Sequence, residues 1–350
     1  MSLIKQARFY KFDDPKDVQH VTDDLLTIGM ELFDYSNARF VAFDFDDSDD
    51  TEYASFLFDY NSDAERQLGF VSLYDGRCQS QTDEMLYLQE VNGWHVMAVL
   101  LREKKIDNSQ LRKEVEKRSI AFRHQTGEEP TGKQRRELTE DVRRELLAKN
   151  ATMKYRRALF GVKASEGLLF INNATPAFCE SVTGFLRSVI GTLRIQPYPD
   201  IDMVDNINSR MRAAFEELEP VVLWAPESGE SIEVKDWIKA EQSEEGKVTM
   251  KYAPDDVLES LIANQYRPIK YDLGYKSAEN EVLFTYEDMK ITKIKLDDVS
   301  ELTMLGEDIM DDAVAQYHAD LEIALGTLEN VLTAVQSLGG DLDEEGDLGV

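Results

Sequence analysis

REKKIDNSQLRKEVEKRSIAFRHQTGEEPTGKQRRELTEDVRRELLAKNATMKYRR, residues 102–157, gathers the positive charge of an acidic chain. It holds 17 Lys or Arg against 10 Asp or Glu, a local net of +7. The whole 350-residue chain is −29, so everything outside the window sums to −36. The pattern predicts two helices. The first runs from about Ser109 to Gln125, with Leu111, Val115 and Phe122 along one stripe. Thr126-Gly127-Glu128-Glu129-Pro130 breaks it. Thr131 then reads as an N-cap, with Gln134 three residues on completing a capping box. The second helix runs to about Lys149, with Leu138, Val142 and Leu146 at i, i+4 and i+8. A helical hairpin of this kind buries its Leu/Val seam and turns Arg135, Arg136, Arg143 and Arg144 outward. Ion pairs such as Glu140 with Arg144 are expected on its exposed faces. Lys149, Lys154, Arg156 and Arg157 follow at the entry to an apolar strand.

Composition bounds what such a window can belong to. At 350 residues, 42% hydrophobic and 9% aromatic, the chain is long and apolar enough for a sizeable core. No run of 18 apolar residues predicts a membrane span, and Met1-Ser2-Leu3-Ile4-Lys5 lacks the features of a signal peptide. Cys78 and Cys179 predict a reducing compartment without a disulfide framework. His20, His95, His124 and His318 are scattered, so no zinc site and no cofactor are expected. A net charge of −29 disfavours binding a polyanion over the whole surface. It leaves binding where bases are gathered.

Working outward, residues 4–12 alternate as a strand, and Asp17–Phe33 as a helix with Val18, Val21, Leu25 and Ile28 inward. Residues 39–46, 53–60, 68–74 and 94–101 read as strands. Residues 158–162 and 167–171 form a β-hairpin around Ala164-Ser165-Glu166. Thr175-Pro176 opens a helix that Gln196-Pro197-Tyr198-Pro199 ends. Asp205–Leu218, Glu233–Ala240 (carrying Trp237) and Asp255–Ala263 read as helices. Residues 269–273, 281–286 and 289–296 read as strands, the last two a hairpin bearing Lys290, Lys293 and Lys295. A long helix, about Ile309 to Leu338, ends at Gly339-Gly340. Residues 341–350, with five acids and no base, read as a disordered tail. The expected class is α+β: mixed sheets, a protruding charged helical hairpin and a long C-terminal helix. The segments divide as 1–105, 106–157 (the arm), 158–300, 301–340 and the tail.

Residues 44–65 hold nine acids and no base. Asp44, Asp46 and Asp47 could hold Mg²⁺ for nuclease chemistry. The plainer reading is an acidic hairpin blunting a sheet edge. No Walker loop, nucleophile elbow, dinucleotide fingerprint or Cys-His pair appears, so no catalytic residues are assigned.

The order of parts resembles the bacterial recombination-associated RdgC family. Ile4 to Tyr10 looks like that family's opening strand, and Leu68-Gly69-Phe70-Val71 like its Gly-aromatic-Val turn. Trp94 to Lys105 is similar to a strand ending in a basic cluster. Thr131-Gly132-Lys133 to Leu147 is similar to the second arm of the family's charged hairpin. Gly167 to Ile171, Phe185 to Leu193, Trp237-Ile238, and Glu307-Asp308 through Gly340 follow in family order. Three places depart from it, one of them the acidic run 44–65. The family's Leu-Pro-x-Ala-Phe, whose Phe helps close a ring, reads Leu147-Ala148-Lys149-Asn150-Ala151-Thr152 here. The family's later basic stretch is reduced to Lys247 and Lys251.

The resemblance implies a horseshoe-shaped protomer and a homodimeric ring. That ring encloses double-stranded DNA without reading sequence and limits access of a RecA-type recombinase. It implies a cytoplasmic, nucleoid-associated protein with no membrane partner. The candidate DNA-contacting residues are Arg102, Lys104, Lys105, Lys133, Arg135, Arg136, Arg143, Arg144, Lys154, Arg156, Arg157, Lys293 and Lys295. The long apolar seam from Ile309 to Val335 adds to the expectation of a dimer. Two rivals stand beside this reading. One is an acidic DNA mimic, favoured by the net charge and opposed by the +7 window. The other is a metal-dependent exonuclease on Asp44 and Asp46, a label some of the family carry and no motif here supports.

Overall fold

The computed structural model describes residues 3–41, 56–59, 64–73, 87–149, 151–225, 228–242, 246–250, 252–277, 280–287, 289–296 and 313–340. In chain order the elements are β1 (Gln6–Phe12), α1 (Pro15–Val41), β2 (Arg66–Val71), β3 (Leu88–Val91), β4 (Trp94–Lys105), α2 (Asn108–Thr126), α3 (Gly132–Lys149), β5 (Thr152–Lys163), β6 (Leu168–Ile171), α4 (Pro176–Ile190), β7 (Ile195–Tyr198), α5 (Ile201–Glu217), β8 (Val221–Ala225), β9 (Glu230–Gln242), β10 (Gly246–Thr249), α6 (Asp255–Ala263), β11 (Arg267–Lys276), β12 (Glu281–Glu287), β13 (Lys290–Leu296) and α7 (Ala313–Gly339). The class is α+β, as expected. The sheet is antiparallel rather than mixed, with one isolated parallel bridge, Leu57 to Phe70, among the described residues.

The chain divides into two compact units that cut across the segments read from the sequence. The first comprises Met1–Asp47, Ser72–Met97 and Leu159–Val350, and the second Ser48–Val71 and Ala98–Ala158. Strands β4 and β5 run through both. In the first unit the strand order is β10-β9-β11-β12-β13-β1-β6-β5, with β7 on β1, β8 on β9 and β3 on β4. In the second, β4 lies between β5 and β2.

β1 holds the first unit's sheet together. Phe9, Tyr10 and Lys11 pair with β6 on one edge and with β7 on the other. Gln6 and Ala7 pair with β13. Gly161 in β5 faces Phe170 in β6, where an added Cβ would stand 2.5 Å from the ring. That close approach seats the Phe170 ring edge-on to the buried Trp94, centroids 5.1 Å apart. Trp94 Nε1 donates to Glu329 of α7, which also receives the Lys163 ammonium at 2.6 Å.

The predicted helix at 233–240 is strand β9. Its inward residues are Ile232, Val234, Trp237 and Ala240. Two bulges against β11 stretch the spacing from two to three, and a spacing of three imitates a helix. Helix α4 ends earlier than expected, at Gly191 with φ 86°. The chain then returns as β7 through the stretch expected to be a terminator. Residues 39–41, expected to begin a strand, continue α1. Asp44, Asp46, Asp47, Cys78, Glu307, Asp308 and the tail 341–350 lie outside the described residues.

The long seam of α7 is filled inside its own unit. Leu321, Leu325, Leu328, Leu332 and Val335 are buried against β11, β12, β13, β3 and α5. These five side chains, among the described residues of the seam, are thus taken up within the unit. From α5, Asn206 Nδ2 donates to the Gly339 carbonyl at 3.1 Å and Arg210 to that of Gly340 at 3.2 Å, satisfying the end of α7. Leu328 is 0% exposed. Leu328→Ala is expected to destabilise the protein by about 2–5 kcal/mol, measured by urea denaturation.

Candidate nucleic-acid interface

The second unit carries the basic window. By sequence it holds 18 Lys or Arg and 16 Asp or Glu, a net of +2 in a chain of −29. Its helical hairpin forms as the sequence predicts. The Asp107 carboxylate accepts from Ser109 N at 2.8 Å and starts α2. Gly127, at φ 79°, ends it by donating to the Arg123 carbonyl. The capping box at α3 is present: Gln134 N donates to Thr131 Oγ1 at 3.4 Å, and Thr131 N donates to Gln134 Oε1 at 2.9 Å. Val115, Val142 and Leu146 form the buried seam, with Ile106 and Leu111 packed against it. Phe122 and Leu138, expected in that seam, are only half-buried.

Ion pairs lock the two helices together. Arg118 donates to Glu145 at 2.7 Å, and Arg135 lies 3.8 Å from Glu116. The Arg118 hydrogen bond and charge hold the Glu145 carboxyl below its ordinary value, and the same bond raises the Arg118 guanidinium. These pairs are exposed, so each contributes little stability. The expected Glu140 pair is replaced: Arg144 approaches Asp141 instead, at 3.9 Å. Lys133, Arg135, Arg136, Arg143 and Arg144 are all exposed. Among the described residues, no carboxylate lies within 4.0 Å of Lys133, Arg136 or Arg143. Among the described residues these three exposed cations have no carboxylate partner.

The strand ends are organised differently. Arg102, read as a DNA contact, is 2% exposed. Its guanidinium donates to the Ala64 carbonyl at 3.4 Å and lies 5.9 Å from the centre of the Phe58 ring. Alternation along β4 turns it inward, so it braces the second unit rather than presenting to phosphate. Lys104, next on the same face, is half-buried. On the opposite face Glu103 gathers three cations. Arg156 lies at 2.9 Å, Lys105 at 3.4 Å and Arg66 at 3.6 Å. Lys154 shares the Arg156 face by alternation and is exposed. Arg66 is the member the sequence reading missed. It ends an acidic run, and only its pairing opposite Glu103 in the β2–β4 ladder shows its place. Arg157, on the other face of β5, is half-buried.

Lys293 and Lys295 belong to the first unit, on β13. Lys293 sits in a bulge at φ 56°, with its ammonium 3.5 Å from Asp272. Lys295 is exposed. Among the described residues no three His, Cys, Asp or Glu side chains are placed to hold a metal ion. Among them, too, no helix is long and apolar enough to cross a membrane.

The arrangement is that of an α+β protein whose excess positive charge is concentrated on one unit. The RdgC family model, described as "Putative exonuclease, RdgC", matches residues 59–341. The chain belongs to the RdgC family. Membership supports a recombination-associated, nucleic-acid-related function in general. No curated protein matches the chain.

Burial pushes the Glu103 carboxyl up, but the hydrogen bond from Lys105 and the charges of Arg156, Lys105 and Arg66 outweigh it and hold it below its ordinary value. A lowered carboxylate contributes stability above the unfolded-state value, and that contribution is lost as pH falls through the folded-state value. Glu103→Gln is therefore expected to lower the melting temperature by about 2–4 °C at pH 7. The difference from the native protein should persist through the ordinary glutamate range and shrink only as pH falls through the lowered folded-state value, where the native carboxyl is protonated as well. Melting curves across pH check this.

Proposed function

We propose that the protein binds double-stranded DNA without reading its sequence, encloses it as a homodimeric ring, and limits the access of a RecA-type recombinase. The observation that carries the DNA-binding reading is the exposed set Lys133, Arg136 and Arg143, with no carboxylate within 4.0 Å among the described residues. In a chain of −29, gathered cations with no carboxylate within 4.0 Å among the described residues are placed to attract an external anion. They stand at i, i+3 and i+10 on α3, one side of the helix, and no groove-reading motif accompanies them. Arg135 and Arg144 hold only exposed partners at 3.8 and 3.9 Å, which phosphates can displace. The cations around Glu103 and the exposed Lys154 extend the positive surface of the same unit. Lys295 and Lys293 are proposed as further contacts. The acid mimic reading is the weaker one, because a mimic has no use for this unit's charge.

Replacing Arg135, Arg136, Arg143 and Arg144 together with Ala should weaken binding to unrelated duplexes equally. The slope of log affinity against log salt should flatten by roughly one unit for each arginine that touches phosphate. Ala keeps the helix, and the Val142 and Leu146 seam is untouched. A folded variant with unchanged affinity and slope removes the hairpin from the site. For the ring, light scattering should give a dimer of the 40.0 kDa chain at micromolar concentration. A monomer mass there removes the ring.

One observation favours a second reading: the family's description names an exonuclease. Degradation of duplex DNA by the native protein with Mg²⁺, lost on Asp44→Ala with Asp46→Ala, would favour it over binding alone.

A further inference from the structure

Glu103 lies on the middle strand of three, β4, with β2 on one side and β5 on the other. Arg66 stands opposite it in the β2–β4 ladder. Lys105 follows two residues on, along the same face of β4, and Arg156 reaches it from β5 at 2.9 Å. All four residues belong to the second unit. The Glu103 side chain is 20% exposed, against 39%, 44% and 54% for Arg156, Lys105 and Arg66. The carboxylate is thus the enclosed member, and the cations open outward around it. More N–H donors converge here than one carboxylate can accept, since each arginine alone carries five. A tie that served only to join strands would neutralise itself, whereas three cations on one carboxylate leave a local surplus of positive charge.

We propose that Glu103 is an internal stand-in for phosphate, which gathers Arg66, Lys105 and Arg156 in the free protein and yields them to the DNA backbone on binding. The proposal rests on the DNA-binding reading above and names what sets the affinity of that site. Carboxylate and phosphodiester are both anionic acceptors for the same donors, so the two compete for these cations. Gathering acts the other way, because a long side chain already held in place loses less freedom when it meets its ligand. Competition is the larger effect here. The pairs are open to water, which weakens the hold of one carboxylate, and a backbone offers each cation a phosphate of its own. Glu103 therefore keeps the cluster in shape and holds its affinity down at the same time.

The test uses the full chain and a fluorescent blunt duplex, followed by anisotropy over a series of salt concentrations. Glu103→Gln keeps the shape of the side chain and removes its charge. It should bind the duplex about 3- to 100-fold more tightly than the native protein. Its slope of log affinity against log salt should steepen by roughly one unit for each cation released. Glu103→Asp keeps the charge and should bind as the native protein does. Glu140→Gln removes an equal charge from α3, where no cation lies within 4.0 Å of it among the described residues, and should leave the slope unchanged. Adding Lys105→Ala and Arg156→Ala to Glu103→Gln should abolish the gain. Weaker binding by Glu103→Gln assigns the residue to strand-joining alone and overturns the stand-in. A slope no steeper than that of Glu140→Gln overturns it too. Where Glu103→Gln does not fold, Lys105→Ala in the native chain decides, since a slope it leaves unchanged removes the cluster from the site. A native protein that binds no duplex sinks the DNA-binding reading and the stand-in with it, whereas native binding with an unaltered Glu103→Gln sinks the stand-in alone.

Discussion

The first unit depends on the pairing of β1 along both of its edges. A strand buried on two sides must place every backbone N–H and C=O in a ladder, because an unmade hydrogen bond there has no water to turn to. Residues 6–12 do so by joining β6 on one side and β7 and β13 on the other. Segments more than a hundred residues apart in the chain are thereby fixed in one sheet. The helices α1 and α7 then cover that unit's apolar surfaces with residues the periodicity had marked. The burial of the α7 seam follows from this: once the sheet forms, it offers the apolar surface that Leu321 to Val335 need.

The second unit obeys a different constraint. It is short of apolar area, and its hairpin seam is little more than Val115, Val142 and Leu146. Charge does part of the holding. Arg118 to Glu145 joins the two helices, and Glu103 collects Arg156, Lys105 and Arg66 across three strands. Each such contact in water contributes about 1 kcal/mol or less, so a set of them positions surfaces more than it stabilises them. What remains after these internal pairs is a set of exposed cations on α3, Lys133, Arg136 and Arg143, with no carboxylate within 4.0 Å among the described residues.

That division separates two kinds of arginine that look alike in one dimension. Arg102 and Arg143 both lie in the same basic window. Arg102 is spent on Phe58 and the Ala64 carbonyl, and it braces the aromatic pair that ends in Tyr155. Arg143 faces solvent. A strand buries every second side chain, whereas an arm of two helices buries one narrow seam. A base on β4 is therefore far more exposed to capture by the core than a base on α3.

Local chemistry was legible in the sequence wherever it is local in the structure. The Thr131-Gln134 capping box, the stop at Gly127, the hairpin around Ala164 to Glu166, the inward face of α1 and the long α7 each depend on residues within a turn or two of one another. The family order was legible for the same reason, since it is an order of such elements. What failed depended on partners distant in the chain. Strand β9 carries a helix-like spacing because its bulges are set by β11, and a spacing of three has two meanings until the neighbour is present. The sheet's antiparallel order, the inward turn of Arg102, the place of Arg66 beside Glu103 and the bracing of Tyr155 by Phe58 are of the same kind. The residues alone mark the helices of the hairpin and α7, the apolar face of α1 and the place where positive charge accumulates, because those follow from composition and period. Only the tertiary structure decided which of those charges are consumed by neighbours and which stay available, because that depends on the register between strands and not on any residue alone.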